Sequence, residues 1–212
     1  HSFLERWCSG LRVDYKKLSV RSTAAVPKVS APALTATNAQ GQGVLDMGKA
    51  ANRVLVHAGT GTSHSCTEGL ALKFAETLGA AITTSWGARC CMLEDPAAST
   101  KSCLVPFIYV QANNEAHVTA DLVIVLGSRL GETDWWGKMP YWGHPNRQRF
   151  IYVDVDAANL GNIHQSDLCI QADLSIFLRQ MIARPDFVER APNQEWFNTL
   201  SGMCKARRDS QD

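Results

Sequence analysis

Five short stretches of this 212-residue sequence place polar or glycine residues directly after an apolar run. Gly59, Thr60 and Gly61 follow RVLVHA and precede a helical pattern; small residues there let backbone N–H groups and a helix dipole approach a phosphate. Ser85 and Trp86 follow AAITT and offer a hydroxyl and an indole to a planar ligand. Gly127, Ser128 and Arg129 follow DLVIVL, and an arginine beyond a buried strand can grip a phosphate with its planar fork, or make a surface salt bridge. Asp154 and Val155 end the run RFIYVDV, where a carboxylate suits a ribose hydroxyl, with Asp156 as the cap of the next helical turn. Asp173 and Leu174 begin the last pattern, Asp173 as helix cap or as ligand acceptor, with capping favoured.

Other chemistries fare worse. The turn AGTGTS is neither a phosphate loop, since no Gly-Lys-Ser/Thr comes after it, nor a full G-x-G-x-x-G, since Ser65 is not glycine. No G-x-S-x-G elbow is present, and the adjacency of Ser63, His64 and Ser65 does not make a triad. Asp154 and Asp156, or Glu94 and Asp95, make a poor glycosidase pair. Cys8, Cys66, Cys90, Cys91, Cys103, Cys169 and Cys204 are odd in number and contain no C-x-x-C, so reduced thiols are expected, with no metal site. No catalytic residue is assigned.

The elements that must position these residues emerge from periodicity. Strands are expected at Arg53 to Ala58, Ala80 to Thr84, Asp121 to Leu126, Arg149 to Val155 and Asp167 to Gln171. Between them, Ser65 to Leu78 reads as a helix burying Leu70, Phe74, Ala75 and Leu78. Leu174 to Ile182 reads as another, burying Ile176, Phe177, Met181 and Ile182. Continuously apolar strands separated by helices predict an α/β fold: a doubly wound, mostly parallel sheet of five to six strands, Rossmann-like, covered on both faces. Ligands of such sheets sit at the carboxyl ends of the strands, where the five stretches fall.

This domain is expected over residues 44–184. Residues 1–43, with Trp7 and Tyr15 and then the Ala, Ser, Thr, Pro and Gly-rich run from Ser19 to Gly43, read as the end of a preceding domain and an extended linker. Residues 185–212 read as a linker helix packing by Trp196, Phe197, Leu200 and Cys204. The segment Glu132 to Pro145, ETDWWGKMPYWGHP, is too aromatic for a free loop and is expected to fold over the sheet edge or into a subunit contact. A net charge of +1 gives no field for nucleic acid or an anionic membrane as main partner. No apolar run reaches the roughly 18–20 residues of a membrane span, and a cytoplasmic location is expected.

Taken in order, RVLVHAGTGTSHSCTEGLALKFAETLGAAITTSWG, ADLVIVLGSRLGE and RFIYVDVDAANLGN followed by DLCIQADLSIFL resemble the central domain of thiamine-diphosphate-dependent enzymes of the acetolactate synthase, pyruvate oxidase and oxalyl-CoA decarboxylase group. The resemblance implies a parent lyase or carboligase acting on a 2-keto acid or acyl-CoA, using thiamine diphosphate and magnesium held between two further domains. Those domains, and further copies in a dimer or tetramer, are the implied partners. It also implies FAD or ADP binding by the strand-end residues named above, or a purely structural role. The family's Gly-Asp-Gly motif has no counterpart, as no Gly-Asp pair occurs; the chain is therefore expected to be a fragment, inactive alone. Between Asp95 and Asn113 the family often carries a His-Gly pair against flavin, which this sequence lacks; that departure favours ADP over FAD. A stand-alone nucleotide-binding module of the same fold, faintly like sirtuins at AGTGTS but without their C-x-x-C zinc module, is the alternative.

Overall fold

The computed structural model describes residues 34–89, 103–161 and 166–210. Readings that fall on Cys8, Cys90, Cys91, Trp7, Tyr15, Glu94 and Asp95 lie outside these residues.

Six parallel strands form one sheet: β1 Val54–Ala58, β2 Ala81–Thr84, β3 Cys103–Val105, β4 Leu122–Leu126, β5 Arg149–Asp154 and β6 Leu168–Gln171. Their order across the sheet is β3-β2-β1-β4-β5-β6. The chain winds outward one way from β1 and the other way from β4, so these two neighbours flank the switch point. Their register, Val54 opposite Leu122 through Ala58 opposite Leu126, brings both carboxyl ends level.

Among the described residues six α-helices accompany the sheet: α1 Asn38–Ala50, α2 Thr60–His64, α3 Glu68–Thr77, α4 Val110–Thr119, α5 Leu174–Ile182 and α6 Gln194–Asp209. Strand alternation divides the core in two. On one face Val54, Val56, Ile82, Leu122, Ile124, Ile151 and Val153 meet Val44 and Leu45 of α1, Phe74 of α3 and Phe177, Leu178 and Met181 of α5. On the other, Leu55, Val123, Val125, Phe150 and Tyr152 meet Ala112 and Ala116 of α4, and Trp196, Phe197 and Leu200 of α6. Burial on both faces is why these strands read as unbroken apolar runs.

Several local readings are corrected. Residues 38–43, at the end of the expected extended linker, are helical: Thr37 caps α1 through a reciprocal bond pair with Gln40, and Val44 and Leu45 enter the core. Helices α1 and α6 each bury an apolar stripe against the sheet layers. The helix expected from Ser65 to Leu78 starts only at Glu68, because Cys66 at φ 51 breaks the chain after the separate short helix α2. In α5 the buried positions are Leu174, Phe177, Leu178 and Met181, while Ile176 and Ile182 are half-buried. No helix of the described residues is long and apolar enough to cross a membrane. Cys66, Cys103, Cys169 and Cys204 are free thiols.

Candidate functional site

The carboxyl ends of β1 and β4 are tied together by backbone. Gly59 N–H donates to Leu126 O at 2.8 Å, and Gly61 N–H to Gly127 O at 3.0 Å. The chains approach so closely that a Cβ on Gly59 would stand 2.3 Å from Gly127 O and 2.4 Å from Ser128 Cβ. Gly127 itself has φ +58, a left-handed backbone that a side chain would strain. The glycines are thus explained by the seam itself, and the amides of Gly59 and Gly61 are spent on it.

Over the seam opens a cleft of about 330 Å³, at the small end of the range of about 300–1,000 Å³ for small-molecule sites. Thr60, Gly61, Ser85, Gly127, Ser128, Arg129, Asp154 and Val155 all line it. A second lobe of about 270 Å³ shares Gly61, Gly127, Asp154 and Val155 and adds Asp173 and Leu174. Gly59 lies beneath the seam, outside the lining. Trp86 also stands outside it: its ring is 56% exposed, packs edge-on against Phe107 at 5.2 Å and carries the Arg89 guanidinium.

The side chains differ in how far they are already engaged. Arg129 is exposed at the rim and makes no ion pair with a described residue. Asp154 is buried; its Oδ1 accepts from Asp156 N–H at 2.9 Å and Asn159 Nδ2 at 3.3 Å, so it shapes its own turn while lining the cleft. Asp156 caps that turn through Ala158 N–H at 2.9 Å. Asp173 caps α5, accepting from Ser175 and Ile176 N–H. The Ser175 hydroxyl, ahead of the two amides, holds its carboxyl below the usual aspartate range despite partial burial. Among the described residues no group of three His, Cys, Asp or Glu is placed to hold a metal ion.

Sequence reasoning missed His64, Gly131, Thr133 and, above all, Asp134, which lines the cleft at 5% exposure. Asp134 is the third residue of the Trp-rich segment. That segment lies not at a sheet edge but over the central strands: Trp142 stacks on His117 of α4 at 4.0 Å and 7°, and meets His57 of β1 and Phe150 of β5. Its Nε1–H donates to Asp134 O at 2.7 Å. The sequence signal available was proximity, five residues downstream of Arg129 in the same turn.

His117 gives the site a pH dependence. Burial, and then repulsion from His57, push its pKa well below the ordinary histidine value of 6.5. The folded protein keeps this ring neutral, whereas the unfolded chain binds a proton as pH falls through 6.5. Stability is therefore lost as pH falls through and below that value. Urea unfolding above and below pH 6.5 should show a larger loss in the wild type than in His117→Gln; equal losses would place His117 in a wetter environment.

An open parallel sheet with a cleft at its switch point, walled by an arginine and an aspartate from strand ends, defines a Rossmann-like α/β domain. The family described as "Thiamine pyrophosphate enzyme, central domain" matches residues 42–181, and the chain belongs to it. It is also 35% identical over 99 residues to the acetolactate synthase isozyme 1 large subunit of Escherichia coli strain K12, a match covering 44% of this chain and 16% of that protein. The chain thus spans a small part of that relative.

Proposed function

We propose that this chain serves as the central domain of a thiamine-diphosphate-dependent lyase or carboligase resembling acetolactate synthase, acting on a 2-keto acid or acyl-CoA, and that its switch-point cleft binds a nucleotide, ADP or FAD. The carbon–carbon chemistry is supplied by thiamine diphosphate in the parent. This chain offers no Gly-Asp pair to begin the family's diphosphate motif, so the chain alone is expected to be inactive. Magnesium belongs with the same missing site.

The observation that carries the nucleotide reading is the placement of Arg129 and Asp154 in one cleft. Arg129 suits a diphosphate, supported by the Thr60 side chain; Asp154 suits a ribose hydroxyl. The residues fit a ligand with one anionic end and hydrogen-bond donors elsewhere. Assembly into a homo-oligomer with the parent's other domains is part of the proposal. It is supported by Trp135, Trp136 and Met139, which are 46%, 47% and 58% exposed beside the cleft segment.

Calorimetric titration of this chain with ADP and FAD, beside an absorbance spectrum of the isolated protein, tests the reading. Binding should be measurable, and Arg129→Ala should weaken it by about 1.5–3 kcal/mol if charge-assisted phosphate bonds are lost. No binding of either ligand at millimolar concentration, with a cooperative melt, makes the domain a spacer between catalytic domains.

A further inference from the structure

Beneath the cleft, on the α4 face of the sheet, four polar side chains far apart in sequence form a buried array. His57 Nδ1 stands 3.0 Å from Thr83 Oγ1, and Thr83 Oγ1 stands 3.1 Å from His117 Nε2. On its other side His57 Nε2 faces Asp134 Oδ2 at 3.7 Å, with the two side chains 0% and 5% exposed. No hydrogen bond within the described structure satisfies His57 Nε2.

One hydroxyl between two imidazoles allows two directions. In the first, His117 Nε2–H donates to Thr83, whose hydroxyl donates to His57 Nδ1, leaving the His57 proton on Nε2. In the second, Thr83 donates to His117, and His57 Nε2 presents a bare lone pair to the Asp134 carboxylate. With water excluded, that second arrangement sets two acceptors against each other at 3.7 Å. The first gives Asp134 a donor. Ser128 Oγ–H supplies another at 3.4 Å, and the Asp134 backbone carbonyl is fixed by Trp142 Nε1–H.

Asp134 is thus an acceptor held at the cleft wall by groups behind it. A carboxylate has about four lone-pair sites, and long contacts from His57 and Ser128 leave capacity on the side that lines the cavity. With Arg129 available for the anionic end of a ligand, Asp134 disfavours a second anionic group and favours a donor. We propose that Asp134 is a specificity-determining residue of the cleft, accepting a hydrogen bond from a sugar hydroxyl or exocyclic amine of the ligand, and that His57 is its positioning residue. This rests on the nucleotide reading and adds which chemical end of the nucleotide is read, and by what.

The test is calorimetric titration of wild-type chain, Asp134→Asn, His57→Gln and His57→Leu with ADP, FAD and inorganic pyrophosphate, each variant checked by thermal melt. Asp134→Asn, nearly isosteric, should weaken nucleotide binding about tenfold or more while leaving pyrophosphate affinity equal or improved. His57→Leu should show the same split. His57→Gln, which keeps a donor able to face Asp134, should recover most of the nucleotide affinity. Unchanged nucleotide affinity in Asp134→Asn, or equal weakening of nucleotide and pyrophosphate, overturns the proposal while the nucleotide reading stands. Failure of the wild type to bind either nucleotide removes both.

Discussion

Gly59→Ala is expected to cost about 3–5 kcal/mol of folding stability, enough to leave the chain largely unfolded or displaced at the switch point. The added methyl would lie 2.3 Å from Gly127 O, 2.4 Å from Ser128 Cβ and 2.5 Å from Ser128 Cα. Two of those atoms are backbone, and neither segment can retreat. Gly59 N–H is bonded to Leu126 O, and Gly127 N–H to Val153 O at 2.9 Å, so a shift of either strand end disturbs β1, β4 and β5 together. The contrasting substitution is Gly69→Ala in the first turn of α3, where nothing lies within 4 Å of the new methyl. It should stabilise by about 0.5 kcal/mol through reduced freedom of the unfolded chain. Urea unfolding of the two variants separates a packing effect from a general intolerance of glycine replacement. A loss under 1 kcal/mol for Gly59→Ala would mean that the β1 and β4 turns are not in contact.

These turns were legible because a buried parallel strand announces both its length and its end. DLVIVL stops at Gly127 since the chain must reverse there with φ +58, and RVLVHA stops at Gly59 since the neighbouring turn leaves no room for a side chain. The elements that escaped sequence reading are those that depend on tertiary contacts. In α1, Gln40, Gly41 and Gly43 look like linker composition. Gly41 nevertheless packs close to the Arg184 guanidinium and Met181 of the α5 region, and Gly43 close to Leu168, contacts that override weak helix propensity. The sixth strand, β3, has three residues, Cys103–Val105, too few for any periodicity to register. In α4, VQANNEAHVT has no strong apolar stripe; it is fixed by Asn113, whose Nδ2 donates to Val105 O and Pro106 O.

The candidate site divides along the same line. Arg129, Asp154 and Asp173 were recognisable because each follows its strand or precedes its helix directly, a local relation. The array of His57, Thr83, His117 and Asp134 has no such relation. His57 sits within a strand, where a polar residue amid RVLVHA reads as an exception, and its partners come from β2, α4 and the segment after β4. Only the register His57 opposite Thr83, and the fold of the Trp-rich segment over β1, join them.

Trp142→Ala is the second large effect expected, about 3–5 kcal/mol. The indole is 1% exposed and is the largest of the fully buried side chains. Its ring lies flat on His117 at 4.0 Å and meets the His57 ring edge-on at 5.4 Å, so removal leaves a void lined by two imidazoles. It also strands Asp134 O, whose bond from Trp142 Nε1 is 2.7 Å. Trp142→Phe retains most of the buried area and loses that donor, and should cost about 1–3 kcal/mol, the range for an unsatisfied buried acceptor. The two variants therefore separate packing from hydrogen bonding. Because the freed carbonyl belongs to the residue that lines the cleft, Trp142→Phe should also weaken nucleotide binding by loosening Asp134, in a protein that still unfolds cooperatively. A phenylalanine variant as stable as wild type would show that the Asp134 turn is held from elsewhere, and an alanine variant losing under 1 kcal/mol would show that the segment does not wall the cleft.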